Sequence, residues 1–234
     1  FILDFNDAEK NPLLTKDGPS EILELSRKTG VVVRTVCADY FMEAPLHSIK
    51  EDVARKSFNV LKRLLIAAAE IKITDIVIPC VDNSTLDGAA EVDRFISKMK
   101  LIAPTIERIG INLSLETDLA PKPFVELLNK LKSNRIKVNY DIGNSASLGF
   151  DPLEELEAYG NKISDIHIKD RFLGGGSVTL GEGNANFEIF FNKLKNFDYQ
   201  GPFIMQAYRD DEGLEIFKKQ LFWINKVIQN SYES

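Results

Sequence analysis

The chain has 234 residues, of which 44% are hydrophobic and 27% charged, a composition ordinary for a globular protein with a sizeable core. Its formal net charge is −6 at pH 7, which argues against a nucleic-acid-binding surface because such a surface needs a basic face. The apolar runs, such as residues 64–69, are too short to span a bilayer, so we expect neither a nucleic acid nor a membrane as partner.

Short β-like runs alternate with longer helical patterns in the first half of the chain. The patterns predict, in order, a strand over 1–5, a helix over 20–28, a strand over 31–37, a long helix that begins at Ser48, a strand over 75–79 and a helix over 90–106. Gly30 is a stop signal for the first helix. Pro104 is expected to kink or end the last one, because proline lacks a backbone N–H.

The second half of the chain repeats this alternation. The predicted elements are a strand over 111–116, a helix over 121–131, a strand over 136–141, a short helix with Asp151 as its cap and Pro152 at its first position, a strand over 163–168, a helix over 187–194, a strand over 202–206 and a helix over 214–228. Such regular alternation of strands and helices predicts parallel strands that are joined by helical crossovers.

Two α/β architectures fit this alternation, a closed (β/α)₈ TIM barrel and an open doubly wound sheet. An open sheet that binds a dinucleotide usually has G-x-G-x-x-G after its first strand, and this chain has none. Its glycine-rich stretches, 174–176 and 181–183, come late, where the phosphate site of a barrel lies. We predict one barrel domain over 1–234 in which the first β/α unit, at the N-terminus, is missing.

Two cysteines, Cys37 and Cys80, each lie near the end of a predicted strand. Two cysteines are too few for a disulfide framework, so buried free thiols are the preferred interpretation. Free thiols suit a reducing cytoplasm, which is the location that we expect. Assembly into a homodimer is left open.

Polar side chains end most of the predicted strands. The strand-end residues are Asp4 or Asp7, Asp39, Asp82, Glu116, Asp141, His167 with Lys169, and Gln206 with Arg209. In a barrel the catalytic groups come from these strand ends. Glu116, Asp141 and His167 would form a mixed oxygen and nitrogen site for a divalent cation. Taken singly, the aspartate could instead form a turn or a helix cap, and the histidine could be a hydrogen-bonded core residue.

Four segments give the chain a resemblance to a known family, namely 114–117 (SLET), 139–144 (NYDIGN), 167–171 (HIKDR) and 180–183 (LGEG). The sequence resembles the xylose isomerase-like barrel superfamily, and within it the sugar phosphate isomerases and epimerases related to hexulose-6-phosphate isomerase and ribulose-5-phosphate 3-epimerase. The resemblance implies that Glu116, Asp141 and His167 bind a metal ion and that Glu116 is also an acid/base group. The family's second acid/base glutamate is replaced by Gln206, which can coordinate a metal but cannot exchange a proton near neutral pH.

The function that we expect is a metal-dependent isomerase or epimerase of a small sugar or sugar phosphate, acting through a metal-stabilised enediolate. One divalent ion is needed, and Mn²⁺, Mg²⁺, Co²⁺, Fe²⁺ and Zn²⁺ are not distinguished. Glu116 is the expected base, Gln206 a further ligand, and Lys169, Glu182 and Asp39 are candidates for the acid that returns the proton. Lys169 could equally form an ordinary salt bridge with Asp165 or Asp170.

Substrate binding is predicted mainly for the loops after the last strands. Arg171 and Arg209, with Gly175 and Ser177, could hold a phosphate, and Asp39 and Asn144 are further candidates for substrate contacts. A flexible glycine loop with solvated arginines is the plainer interpretation. Two other functions remain open, a metal-dependent dehydratase of a cyclic polyol or keto acid and a barrel that binds a sugar without catalysis.

Overall fold

The computed structural model describes residues 2–209 and 213–233. Its main sheet has seven strands in the order β1-β2-β3-β4-β5-β6-β9. These strands are β1 (Ile2–Asp4), β2 (Thr35–Cys37), β3 (Asp75–Cys80), β4 (Asn112–Thr117), β5 (Ile136–Asp141), β6 (Ile163–Ile168) and β9 (Phe203–Met205). A separate antiparallel pair joins β7 (Asp170–Arg171) to β8 (Ser177–Val178).

Helices follow most of the strands. They are α1 (Gly18–Thr29), α2 (Tyr40–Glu43), α3 (Glu51–Glu70), α4 (Ala89–Ile109), α5 (Pro121–Leu131), α6 (Ile142–Leu148), α7 (Pro152–Tyr159), α8 (Phe187–Leu194) and α9 (Leu214–Glu233). Short 3-10 turns lie at Pro12–Leu14, Asp82–Ser84, Gly160–Lys162 and Lys195–Phe197. Within the part of the chain that the structure describes, no helix is long and apolar enough to cross a membrane.

Several predicted elements have the observed bounds, most clearly α5, β5, β6 and α8. The cap at Asp151 is also confirmed, because its carboxylate accepts a hydrogen bond of 2.8 Å from the backbone N–H of Leu153. These segments combine a strong hydrophobic period with a local start signal. The sequence alone therefore defines both their type and their limits.

Three predictions for the first half were wrong in their limits. The long helix expected to begin at Ser48 begins at Glu51. The strand predicted over 31–37 covers only Thr35–Cys37, because β1 offers three residues to pair with it. The helix predicted to kink or end at Pro104 continues to Ile109, where Gly110 caps it in the left-handed conformation. Ile102 and Ile106 are fully buried on either side of this proline. Burial of the apolar face of α4 outweighs the loss of one backbone hydrogen bond.

The chain divides into two compact units, and the first comprises residues 1–119 and 126–137. Its three parallel pairs join β1 to β2, β2 to β3 and β3 to β4. At the start of β3, the buried carboxylate of Asp75 accepts hydrogen bonds from the side chains of Asn112, at 2.8 Å, and Ser114, at 3.2 Å. This carboxylate thus joins β3 to β4.

The second unit comprises residues 120–125 and 138–234, and its core is aromatic. The rings of Tyr140 and Phe190 stack with their centroids 4.8 Å apart. The buried carboxylate of Glu155 accepts hydrogen bonds from the hydroxyls of Tyr140, Ser145 and Tyr159. Burial raises the pKa of Glu155 against the effect of these three donors. The expectation of one domain over 1–234 stays a prediction.

Both cysteines are buried and free, as the sequence predicted. Burial raises the pKa of the Cys37 and Cys80 thiols, so at pH 8 each is thiolate far less often than an exposed cysteine. We therefore expect their reaction with a disulfide reagent such as DTNB to be at least about 100-fold slower in the native protein than in guanidinium, as measured by absorbance. Two thiols that react equally fast in both conditions would contradict this burial.

Candidate functional site

Three buried side chains with metal-binding chemistry lie at the ends of neighbouring segments of the sheet. They are Glu116 on β4, Asp141 at the end of β5 and His167 on β6. One potential ligand atom of each lies within 4.8 Å of those of the other two. The structure thus brings together the three residues that the sequence selected, and this buried group can hold a metal ion.

The two carboxylate oxygens of Asp141 have different surroundings. Oδ1 accepts a hydrogen bond of 2.8 Å from the backbone N–H of Asn144 and so caps α6, a role that the sequence had left open beside metal binding. Oδ2 lies 3.5 Å from Nζ of Lys169 and 3.9 Å from Nδ1 of His167. Among the residues that the structure describes, this buried Oδ2 has no hydrogen-bond partner. Asp141 can therefore cap a helix and still offer one oxygen to a cation.

His167 has no exposed surface and lies opposite Asp141 in the parallel pair of β5 and β6. The side-chain amide nitrogen of Asn139, on the same face of β5, lies 3.2 Å from its Nδ1. This contact helps to orient the imidazole ring. Fixed orientation is what a histidine ligand needs, because the direction of its lone pair decides where the ion lies.

Lys169 lies beside this group with 19% of its side chain exposed. Its ion pair is with Asp141, whereas Asp165 or Asp170 had been considered as partners. Its Nζ also donates to Oε1 of Gln206 at 3.3 Å. Gly143 makes this placement possible, because a Cβ at that position would overlap the side chain and backbone of Lys169. Lys169 therefore contacts both Asp141 and Gln206.

The predicted substrate-binding residues have varied surroundings. In the first unit, half-buried Asp39 accepts a hydrogen bond from the thiol of Cys37. In the second unit, the guanidinium of Arg171 donates to the backbone oxygen of Gly175 at 3.0 and 2.8 Å and to Oδ1 of Asn144 at 2.8 Å. Ser177, Arg209 and Glu182 are exposed. Arg171, Gly175 and Asn144 are thus brought together.

Sequence reasoning considered Asp170 only as an ion-pair partner of Lys169, whereas in the structure it contacts the glycine-rich segment. The N–H groups of Gly181 and Gly183, which had been considered as part of a phosphate site, both donate to the Asp170 carboxylate. These two N–H groups are therefore not available to a phosphate in this structure. The only signal in the sequence was an aspartate that directly follows the His-x-Lys pattern.

Comparison with known proteins gives one family. Residues 3–227 match the family described as xylose isomerase-like TIM barrel. The L-ribulose-5-phosphate 3-epimerase UlaE of Escherichia coli is 25% identical over 203 residues, which cover 82% of this chain and 71% of that protein. The relatives named in this way are enzymes.

Solved structures agree in fold. An L-ribulose 3-epimerase superposes with a TM-score of 0.78 at 14% identity, covering 99% of this chain and 84% of that one. The protein IOLI, solved with a bound zinc atom, superposes with a TM-score of 0.79 at 14% identity, covering 98% of this chain and 88% of its own. The match over nearly the whole sequence confirms the resemblance and the fold class expected from the residues: the chain belongs to the xylose isomerase-like TIM barrel family.

Proposed function

We propose that the protein is a metal-dependent epimerase or isomerase of a small ketose or ketose phosphate. The names of the curated relatives support the coarser class, a sugar epimerase. The observation that carries the metal dependence is the buried group of Glu116, Asp141 and His167. Two carboxylates and one imidazole suit a hard or borderline divalent ion such as Mn²⁺, Mg²⁺, Co²⁺, Fe²⁺ or Zn²⁺.

The surroundings of Asp141 fit a bound cation. Its side chain is 1% exposed, and its Oδ2 has no hydrogen-bond partner among the described residues. An uncompensated buried carboxylate costs several kcal/mol, of the order of 3–5. Nζ of Lys169 lies 3.5 Å from this oxygen and offsets part of this cost. A divalent ion between the three ligands would offset the remainder.

A divalent ion bound there supplies Lewis acidity toward a ketose carbonyl and its neighbouring hydroxyl. Glu116 would accept the proton of the adjacent C–H bond on a carboxylate oxygen. Return of a proton to the other face of the same carbon gives an epimer, and return to the neighbouring carbon gives an isomer. Lys169 is the proposed donor of this proton, because its Nζ is held by Asp141 and Gln206.

Gln206 cannot carry a proton in this reaction, since an amide does not ionise near neutral pH. Its Oε1 accepts from Lys169, so its proposed role is to orient that ammonium group, with metal coordination through the same oxygen as the alternative role. The reaction therefore pairs a carboxylate with an amine instead of two carboxylates.

Substrate binding is proposed for the segment around Arg171. The hydrogen bonds to Gly175 and Asn144 use three of the five guanidinium N–H groups, and the other two can donate to a phosphate or hydroxyl oxygen. Arg209, Ser177 and Asp39 complete the proposed set of substrate contacts. The substrate is thus a small sugar or sugar phosphate, while the cytoplasmic location and a homodimer stay predictions.

A second candidate function is sugar binding without catalysis. Gln206 favours it, because a two-glutamate reaction cannot run with an amide at that position. This candidate predicts that a sugar stabilises the protein without any exchange of its carbon-bound protons with solvent.

Removal of the metal should lower thermal stability. At about one hundred times its Kd, Mn²⁺ or Co²⁺ should stabilise the EDTA-treated protein by about 2.7 kcal/mol, seen as a rise in Tm of a few degrees in a thermal melt. Asp141→Asn should lose this response, because its single oxygen remains in the cap of α6 and its amide N–H₂ group, which cannot bind a cation, replaces Oδ2. Asp75→Asn, which alters a buried carboxylate with partners of its own, should keep it. A wild-type protein with the same Tm in EDTA and in both metals would contradict the metal site.

Substitution of the base should separate metal binding from proton transfer. Glu116→Gln should reduce exchange of a carbon-bound proton of L-ribulose 5-phosphate or L-ribulose in D₂O at least about 100-fold, because the amide cannot accept the proton. The variant should keep the Mn²⁺-dependent rise in Tm, since its amide oxygen can still coordinate. ¹H NMR measures the exchange, and Glu157→Gln, on the exposed surface, is the matched control. Wild-type exchange in Glu116→Gln would show that another group is the base.

A further inference from the structure

Asp170 is a buried carboxylate that directly follows the His-x-Lys pattern and has no exposed surface. It accepts four hydrogen bonds, all from backbone N–H groups. Oδ1 accepts from Arg171 at 2.9 Å and from Ala185 at 3.0 Å, and Oδ2 accepts from Gly181 and Gly183, both at 2.9 Å. Converging backbone N–H groups of this kind commonly bind a phosphate or another external anion. Here the carboxylate of the chain itself fills that position.

The two glycines are required by this close approach. A Cβ on Gly183 would overlap the carboxylate of Asp170 and the backbone oxygen of Arg171. Gly181 has a φ of 88°, and a Cβ there would overlap the indole ring of Trp223. The Gly-x-Gly pattern thus serves an internal anion, because any side chain at either position would push the segment away from Asp170.

The bonds to Asp170 close the segment 171–186 at both of its ends. Arg171 follows Asp170 directly, and its backbone oxygen accepts from the N–H of Asn184 at 2.9 Å. The backbone N–H of Leu173 donates to Oδ1 of Asn184 at 2.8 Å. The backbone of Arg171 is therefore held between Asp170 and the returning end of the segment.

The side chain of Arg171 connects Asp170 to Asp141, a candidate metal ligand of the second unit. Its guanidinium donates to Oδ1 of Asn144, whose own backbone N–H donates to Oδ1 of Asp141. The N–H of Gly174 donates to the backbone oxygen of Ser147 in α6 at 2.8 Å. A continuous series of hydrogen bonds thus runs from Asp170 through Arg171 and Asn144 to Asp141.

We propose that Asp170 is a positioning residue, which fixes the segment 171–186 and through it the guanidinium of Arg171 for contact with substrate. The part that concerns substrate rests on the function proposed above, and the part that concerns the segment does not. Asp170 itself touches neither substrate nor metal in this proposal. Its loss should weaken substrate binding much more than metal binding.

Trp223 gives a direct measurement of the segment, because it is the only tryptophan in the chain. Its ring packs against Gly181 and makes an edge contact with Phe187, with the ring centroids 5.4 Å apart. In Asp170→Asn, an amide N–H₂ group takes the place of one carboxylate oxygen. Two backbone N–H groups then lose their acceptor, so the segment should separate from Trp223. We expect a red shift of the emission and at least about twofold stronger quenching by acrylamide, since water then reaches the ring.

Ligand binding tests the effect on Arg171. The Kd of L-ribulose 5-phosphate, measured by calorimetry, should rise about tenfold in Asp170→Asn, the size expected for loss of a charge-assisted hydrogen bond. The Kd of Mn²⁺ should stay within about threefold of the wild-type value, because no proposed metal ligand is altered. An equal loss of both affinities would overturn the positioning role, as would an unchanged affinity for the sugar phosphate.

Two alanine variants make the test independent of the charge. Gly183→Ala keeps Asp170 but adds a methyl group that overlaps its carboxylate, so it should reproduce the change in Trp223 emission. Gly176→Ala is the matched control, because a Cβ there meets nothing within 4 Å, and it should leave the emission unchanged. If both Asp170→Asn and Gly183→Ala keep the wild-type emission and quenching, Asp170 does not fix the segment 171–186. A wild-type protein that binds neither Mn²⁺ nor the sugar phosphate would instead refute the proposed function, while Trp223 would still decide whether Asp170 holds the segment.

Discussion

The candidate site depends on the buried carboxylate of Asp141 and on what its two oxygens contact. One of its oxygens is used by the fold, because it caps α6 through the N–H of Asn144. The other faces Lys169 and His167 without a hydrogen bond from any described residue. A buried charge in this state is unfavourable unless a cation approaches it. The same side chain therefore links local helix formation to the electrostatics of the site.

Three other buried carboxylates accept hydrogen bonds on their own account. Asp75 accepts from two side chains, Glu155 from three hydroxyls, and Asp170 from four backbone N–H groups. Each of these groups joins elements of the fold within one unit. Asp141 accepts a hydrogen bond on one oxygen only and lies within 4.8 Å of the potential ligand atoms of Glu116 and His167, and this combination is why it is proposed as a metal ligand.

The contact with Gln206 gives Lys169 its proposed role. Lys169 can lie across the start of α6 only because Gly143 has no side chain, and it ends between the oxygens of Asp141 and Gln206. An ammonium group there can stabilise negative charge on a substrate oxygen or donate a proton. In the proposed reaction, an amine held by an amide takes the place of a second carboxylate.

The sequence by itself determined the alternation of strands and helices, the cap at Asp151 and the choice of Glu116, Asp141 and His167, because hydrophobic period and strand-end position are local properties. Tertiary structure decided the rest. It limited β2 to three residues through the length of its partner β1, and it carried α4 past Pro104 by burying Ile102 and Ile106. It also decided that the N–H groups of Gly181 and Gly183 donate to Asp170. These hydrogen bonds span 11 and 13 positions of the chain, so they depend on how the segment folds back, which no local pattern encodes.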